Sequence, residues 1–135
     1  MNYLYLFFLT LSLTACVGQG DGGGNSISPA PAAPAPTPAY QDLSPEEFAE
    51  KIGRPDALLI DVRTPGEIEN GKIAGALELD FRAPDFPDRL AQLDTSKTYL
   101  IYCASGGRSS RAAEMAAGLG ARRVYNLKGG YRAWR

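Results

Sequence analysis

The chain has 135 residues, a length that suffices for one folded domain. Its formal net charge of −1 does not suggest a nucleic-acid-binding protein, because such proteins are usually basic. It contains no histidine, which excludes Ser-His-Asp hydrolases, Cys-His proteases and the common histidine-containing zinc sites. Its two cysteines, Cys16 and Cys103, are too few for a disulfide framework or a four-thiolate metal site. We therefore expect neither a metal nor a cofactor.

The composition divides the chain into two parts. All 14 lysines and arginines lie at or after Lys51, whereas five of the 15 glycines fall within 18–24 and five of the 10 prolines within 29–38. Residues 40–135 are therefore predicted to form one small domain with a single core. The residues before it have the composition of a leader and a linker.

The N-terminus resembles a bacterial lipoprotein signal peptide. Residues 4–13 form an apolar run that would rise about 15 Å as a helix, half the hydrocarbon core of a bilayer, so it is too short to span one. The sequence Leu-Thr-Ala-Cys at 13–16 resembles the lipobox, in which the bond before the cysteine is cut and the thiol receives a diacylglycerol. The resemblance implies a signal peptide over 1–15 and a lipid on Cys16. An ordinary signal peptide with an incidental cysteine is the alternative.

Residues 16–39 are predicted to be a lipidated cysteine followed by a disordered tether. Its glycine-rich first half is typical of a flexible coil, and its Pro-Ala second half of a polyproline II segment. The lipobox resemblance implies attachment to the periplasmic side of a bacterial membrane. Val17, standing where an aspartate would indicate retention at the inner membrane, favours the outer one.

The first element of the domain is a predicted helix. The sequence Ser-Pro-Glu-Glu at 44–47 is typical of a helix start, because Ser44 can cap the first turn and Glu47 can complete a capping box. From that helix, Phe48 and Ile52 are expected to face the core.

Alternating strands and helices follow. Three short apolar segments have the pattern of strands buried in a parallel sheet, at 58–60, 98–102 and 123–127. Between the last two, the alanine-rich segment 109–119 is predicted to be a helix, ended by the glycines at 118 and 120. This alternation predicts an α/β domain with right-handed crossovers.

Two polar turns follow predicted strands, at the edge where parallel sheets bind ligands. The first is Asp-Val-Arg-Thr-Pro at 61–65, in which Asp61 and Arg63 are expected to form an ion pair that fixes the loop. The second is Cys-Ala-Ser-Gly-Gly-Arg-Ser at 103–109, which leads into the predicted alanine-rich helix.

The second turn predicts a nucleophilic cysteine. Cys103 would lie at a strand end before a helix N-terminus, where unpaired amides and the helix dipole favour the thiolate. Arg108 and Arg111 add positive charge nearby, and the small residues at 104–107 let the backbone amides converge on a small anion or an anionic sulfur adduct. A lone cysteine is more often a core residue. The glycine-rich loop and the following arginine favour the nucleophile here.

Four segments together resemble the rhodanese-like (sulfurtransferase) family, at 59–65, 75–76, 102–109 and 126–134. The resemblance covers the whole of 40–135, with the motifs in the family's order and spacing. It implies a single rhodanese-like α/β domain, with a five-stranded parallel sheet flanked by helices on both faces. We expect it to be a monomer.

The family resemblance also implies a mechanism and a site. Cys103 would be the catalytic residue, taking a sulfane sulfur from thiosulfate or a persulfide and passing it to cyanide or a thiol. The persulfide would be held by the loop residues Ala104, Ser105, Gly106, Gly107 and Arg108. Asp61, Arg63 and Ser109 would support that loop. Members specialised for thiosulfate often carry a basic residue just after the cysteine, whereas the two residues that follow Cys103 are uncharged.

Two other functions share this fold. A phosphatase would use the same cysteine loop around phosphate, but the loops of such enzymes are one residue longer than the four residues between Cys103 and Arg108. A non-catalytic binding module is the other alternative, although such modules typically lose the cysteine.

Overall fold

The computed structural model of the protein describes residues 39–135, which form an α/β structure. The strands are β1 Gln41–Leu43, β2 Ala57–Asp61, β3 Leu77–Glu78, β4 Thr98–Tyr102 and β5 Arg123–Leu127. The helices are α1 Pro45–Lys51, α2 Pro65–Ile68, α3 Phe86–Ala91, α4 Gly107–Gly118 and α5 Gly130–Trp134. In this part of the chain, no helix has the length and apolar character needed to cross a membrane. The predicted signal peptide, Cys16 and nearly all of the predicted tether lie outside the described residues.

The five strands form one parallel sheet in the order β1-β5-β4-β2-β3. Strand β4 lies at its centre and all of its residues are buried. The chain leaves β2 toward β3 on one side of the sheet and leaves β4 toward β5 on the other side. The carboxyl ends of β2 and β4 therefore border a crevice, and open α/β sheets bind ligands in such a crevice. The last residues of these two strands, Asp61 and Tyr102, are partners in the sheet. The predicted five-stranded parallel sheet is confirmed.

Helices cover both faces of the sheet, as expected. Successive side chains of β4 point to opposite faces, so Tyr99 and Ile101 pack with buried residues of α3 and α4, and Leu100 and Tyr102 pack with residues of α1 and α5. A strand buried on both faces must be apolar along its whole length, which explains why β4 is a continuous apolar run rather than an alternating one.

Helix α1 has the predicted N-terminal cap. The Glu47 N–H donates to Ser44 Oγ at 3.3 Å, and the Ser44 N–H donates to Glu47 Oε2 at 2.9 Å. Phe48 is fully buried, and Ile52, which follows the helix, is partly buried against the same cluster. The capping box therefore sets where the helix begins, and the buried ring holds its apolar side on the sheet.

Helix α4 begins at Gly107 and ends at Gly118, so the predicted limits 109–119 were wrong at both ends. The N–H of Ala121 donates to the carbonyl of Ala116 at 3.1 Å, and the N–H of Gly120 donates to that of Ala117 at 3.0 Å. These bonds form a Schellman motif, in which Gly120 takes the left-handed conformation with φ +101°. Gly120 therefore stops the helix, whereas Gly118 is still its last residue.

Candidate active site

The turn from β4 into α4 encloses the sulfur of Cys103. This cysteine directly follows β4 and is 1% exposed. Its Sγ accepts a hydrogen bond from the Gly106 N–H at 3.1 Å. The Ser109 hydroxyl lies 3.4 Å from Sγ and 3.1 Å from the Gly106 carbonyl, so its single proton is shared between these two acceptors. Gly106 has φ +101°, a left-handed conformation that favours glycine, and from this residue the chain turns into α4. The structure thus brings together the predicted loop residues and the sulfur that they were predicted to surround.

The sulfur environment stabilises the thiolate. Burial alone would raise the pKa of Cys103, but hydrogen bonds from the Ser109 hydroxyl and from the backbone around Ser109, Ser105 and Gly106 outweigh it and lower the pKa. The predicted thiolate character therefore has a local cause. It comes from donors near the sulfur, and the charges of Arg108 and Cys103 also attract each other. Arg111, the other arginine expected nearby, is exposed.

Helix α5 holds the other side of the loop. The Tyr131 N–H donates to the Cys103 carbonyl at 2.7 Å, and the Arg132 N–H donates to the Ala104 carbonyl at 3.1 Å. Within a peptide unit the C=O and the N–H point in opposite directions. Because these two carbonyls face α5, the N–H groups of Ala104 and Ser105 face away from it, toward the concave side of the loop.

Gly130 makes this contact possible. A Cβ at this position would lie 2.6 Å from Cys103 O, Ala104 C and Ser105 N, and its φ is +61°. Backbone therefore packs directly on backbone, and a larger residue would displace the loop. Sequence reasoning placed this glycine in a family motif but missed its role, since nothing in the local sequence tells which backbone approaches it.

Arg108 is paired with an acid that sequence reasoning missed. Its guanidinium donates two bonds to Glu67 of α2, at 2.8 and 2.6 Å. Together with bonds from Thr64, which caps α2, the hydrogen bonds from Arg108 lower the pKa of Glu67 to about 2. The Thr-Pro-Gly-Glu sequence at 64–67 was a detectable capping pattern, but its partner lies 41 residues away. Arg108 therefore ties the loop to α2.

Asp61 and Arg63 form the predicted ion pair. Arg63 Nη2 lies 2.6 Å from Asp61 Oδ2, and both side chains are almost completely buried. Burial alone would lower the pKa of Arg63, but the bond and charge of Asp61 raise it. Arg63 also donates to the Gly71 carbonyl at 2.8 Å and lies 4.2 Å from the centroid of the Tyr131 ring. The pair therefore joins the turn after β2 to α5, the helix that holds the cysteine loop.

Comparison with known proteins agrees with this architecture. The family model of the rhodanese-like domain matches residues 44–135. The chain belongs to the rhodanese-like family. A sulfurtransferase of Allochromatium vinosum is 42% identical over 79 residues, which are 58% of this chain and 72% of that protein. The thiosulfate sulfurtransferase GlpE of Stutzerimonas stutzeri is 33% identical over 91 residues, 67% of this chain and 82% of that protein.

Solved structures share this fold. A rhodanese-related protein from Thermoplasma volcanium superimposes with a TM-score of 0.62 at 28% identity, covering 70% of this chain and 90% of that one. A Rhodopseudomonas palustris protein, described as of unknown function and a possible tyrosine phosphatase, has a TM-score of 0.59 at 32% identity, with coverage of 72% and 80%. This rhodanese-like chain therefore shares its fold with proteins to which different chemistries are ascribed.

The first prediction concerns Gly130. We expect Gly130→Ala to displace the cysteine loop and slow the alkylation of Cys103 by iodoacetamide at pH 7, because the new methyl group meets the loop backbone. Gly53→Ala is the matched control, since Gly53 has φ +82° and open space around its Cβ position. Both variants carry about 1–3 kcal/mol of backbone strain, measurable by urea denaturation. Alkylation of Cys103 is measured by peptide mass spectrometry. Equal rates in the two variants would contradict the role given to Gly130.

The second prediction concerns the thiolate. In Ser109→Ala, one donor to the sulfur is lost, so the pKa of Cys103 rises and its alkylation profile moves to higher pH, with a several-fold slower reaction at pH 7. Ser110→Ala is the control, because the Ser110 hydroxyl donates to the Gly107 carbonyl at 2.8 Å instead. Superimposable pH profiles for Ser109→Ala and the wild type would show that the hydroxyl does not stabilise the thiolate.

Proposed function

We propose that this protein is a sulfurtransferase that carries a sulfane sulfur as a persulfide on Cys103. The observation that carries the proposal is the environment of the sulfur, which lies 3.1 Å from the Gly106 amide in a loop whose other amides turn to the same side. Such a loop can hold one additional anionic sulfur atom. Membership of the rhodanese-like family, with relatives named sulfurtransferases, supports the proposal.

In the first step, the Cys103 thiolate attacks the sulfane sulfur of a donor, either thiosulfate or a persulfide. A bond forms between Sγ and that sulfur, and the bond within the donor breaks. The leaving group takes the electron pair, as sulfite when thiosulfate is the donor. The negative charge of the thiolate passes to the outer sulfur of the new persulfide. This sulfur lies about 2 Å from Sγ, and the loop amides stabilise its charge.

In the second step, the acceptor attacks the outer sulfur. With cyanide the product is thiocyanate, and with a thiolate it is a new persulfide. In both cases the bond from the outer sulfur to Sγ breaks and its electron pair returns to Cys103 as the thiolate. Neither step needs a general base, which agrees with a chain that has no histidine.

A phosphatase activity is the less favoured chemistry, although one structural relative is described as a possible tyrosine phosphatase. Four residues separate Cys103 from Arg108, so the ring of amides is small. The Arg108 guanidinium is also engaged with Glu67 in a bidentate pair rather than directed at an anion above the sulfur. The presence of Cys103 itself argues against a purely non-catalytic binding module.

The third prediction tests the persulfide. Incubation with thiosulfate or a low-molecular-weight persulfide should add the mass of one sulfur atom to the peptide containing Cys103, and cyanide should remove it. Cys103→Ser should abolish both the adduct and turnover, because no base is available to activate a hydroxyl. Cys16→Ser makes the same chemical change outside the domain and should keep full turnover. Retained turnover in Cys103→Ser, or hydrolysis of aryl phosphates with no sulfur adduct, would overturn the proposal.

We also propose, from the sequence alone, that Cys16 carries a lipid that anchors the domain on the periplasmic side of a bacterial membrane. The apolar run before it and the lipobox-like Leu-Thr-Ala-Cys sequence support this proposal. A tether rich in glycine and proline would then separate the enzyme from the membrane surface. Its partners would be small sulfur compounds and the lipid bilayer.

The fourth prediction tests this anchor. In a bacterial host, wild-type protein should incorporate labelled palmitate and fractionate with membranes, whereas Cys16→Ser should do neither. Cys103→Ser keeps the lipobox and should be labelled like the wild type. Absence of label from the wild type would contradict lipidation at Cys16.

A further inference from the structure

A polar cleft borders the cysteine loop on the side of α2 and α5. We refer to it as the α2–α5 cleft; its volume is about 350 Å³. It is lined by Arg63, Glu67, Asn70, Ala104, Tyr131, Arg132 and Arg135. Ala104 directly follows Cys103, and its carbonyl is held by the Arg132 N–H. The cleft therefore adjoins the start of the loop that would carry the persulfide, on the side of its carbonyls.

The charges of the cleft do not cancel. Arg63 is paired with Asp61, and Glu67 is paired with Arg108. Arg132 and Arg135 form no salt bridge with any of the residues 39–135. The cleft thus presents two uncompensated guanidinium groups, which favours an anionic ligand.

The Tyr131 ring helps to hold one of these arginines over the cleft. The Arg135 guanidinium lies 5.2 Å from the ring centroid, and the buried Arg63 lies 4.2 Å from the same centroid. The Tyr131 ring is in contact with Arg63 of the buried ion pair. A cation–π contact with this ring therefore limits the positions that Arg135 samples. A partly ordered guanidinium loses less entropy when it binds a planar anion.

The size of the cleft favours an organic ligand. Its volume of about 350 Å³ is more than a small inorganic anion fills. It lies at the lower end of the range of pockets that bind small organic molecules, about 300–1,000 Å³. Guanidinium groups bind carboxylates through two parallel hydrogen bonds, and the Asn70 amide can add another donor.

We propose that the α2–α5 cleft binds the carboxylate of an organic thiol that accepts sulfur from the Cys103 persulfide, with Arg132 and Arg135 as the carboxylate-binding residues. This inference rests on the proposed sulfurtransferase function and specifies its acceptor. The acceptor thiolate attacks the outer sulfur, the bond between that sulfur and Sγ breaks, and its electron pair returns to Sγ. The organic persulfide leaves with its carboxylate unchanged, so atoms and charge balance.

The test isolates the acceptor step. Full-length protein is first loaded with sulfur on Cys103, freed of the donor, and then mixed with 3-mercaptopropionate, 2-mercaptoethanol or cyanide. Loss of the persulfide is followed by rapid quenching and mass spectrometry. For each acceptor, the rate of the variant is divided by that of the wild type, so the intrinsic reactivity of the acceptor cancels.

We expect the double variant Arg132→Gln/Arg135→Gln to slow discharge by 3-mercaptopropionate about tenfold, which corresponds to about 1.4 kcal/mol, because charge-assisted hydrogen bonds to the carboxylate are lost at an exposed site. Discharge by 2-mercaptoethanol, which has no carboxylate, should change less than about twofold by the same reasoning. The control double variant Arg54→Gln/Arg122→Gln removes the same two positive charges from exposed residues outside the cleft and should leave all three rates unchanged. Equal slowing of both thiols by the double variant would overturn the carboxylate site.

A measurement on the wild type covers the case in which the double variant does not fold. Succinate, at an ionic strength matched with sodium chloride, should slow discharge by 3-mercaptopropionate and not by 2-mercaptoethanol. No difference between the two thiols would overturn the site. If the carboxylate site is overturned in this way, rapid discharge of the same protein by cyanide would show that the sulfurtransferase function still holds. A chain that never acquires the persulfide would instead refute the proposed function.

Discussion

The geometry of the site depends on the contact between the first turn of α5 and the cysteine loop. Two backbone N–H groups of α5 hold the carbonyls of Cys103 and Ala104, at 2.7 and 3.1 Å. A peptide whose carbonyl is held on one side presents its N–H on the other, so this contact orients the amides that face the sulfur. Gly130 is required because backbone meets backbone there, with no room for a Cβ.

Two ion pairs hold the frame around this contact. The buried Asp61–Arg63 pair connects the turn after β2 to the ring of Tyr131, and the Glu67–Arg108 pair connects α2 to the end of the loop. A buried pair is weak evidence for net stability, but the loss of one partner leaves an unpaired charge in the core and is strongly destabilising. Their function here is positional. They keep three segments that are distant in sequence in one arrangement at the edge of the sheet.

The same frame explains how a buried thiol can be reactive. Cys103 is 1% exposed, which would normally favour the neutral thiol, and yet donors from the loop and from Ser109 lower its pKa. Exclusion of water strengthens these hydrogen bonds. A persulfide would move the reacting atom outward by one S–S bond, toward acceptors that cannot reach Sγ itself. In the proposed mechanism, the loop would therefore suit the second step of sulfur transfer as well as the first.

The sequence by itself determined the features that depend on neighbours along the chain. The capping box at Ser44 and Glu47, the continuous apolar run of β4 and the glycine-rich turn after Cys103 all follow local rules, and each is present in the structure. The family motifs predicted the five-stranded parallel sheet. Strands β1 and β3, with three and two residues, are too short to have a pattern of their own, so only pairing with the sheet defines them.

Tertiary structure decided what the local pattern could not contain. Glu67 and Arg108 are 41 residues apart, and their pairing gives a partner to an arginine that the sequence analysis counted as positive charge near the sulfur. The approach of Gly130 to the cysteine loop and the grouping of Arg132 with Asn70 in one cleft likewise depend on the strand order. The physical reason is the same in each case. Local sequence sets which groups can bond, whereas folding of the sheet decides which of them come within bonding distance.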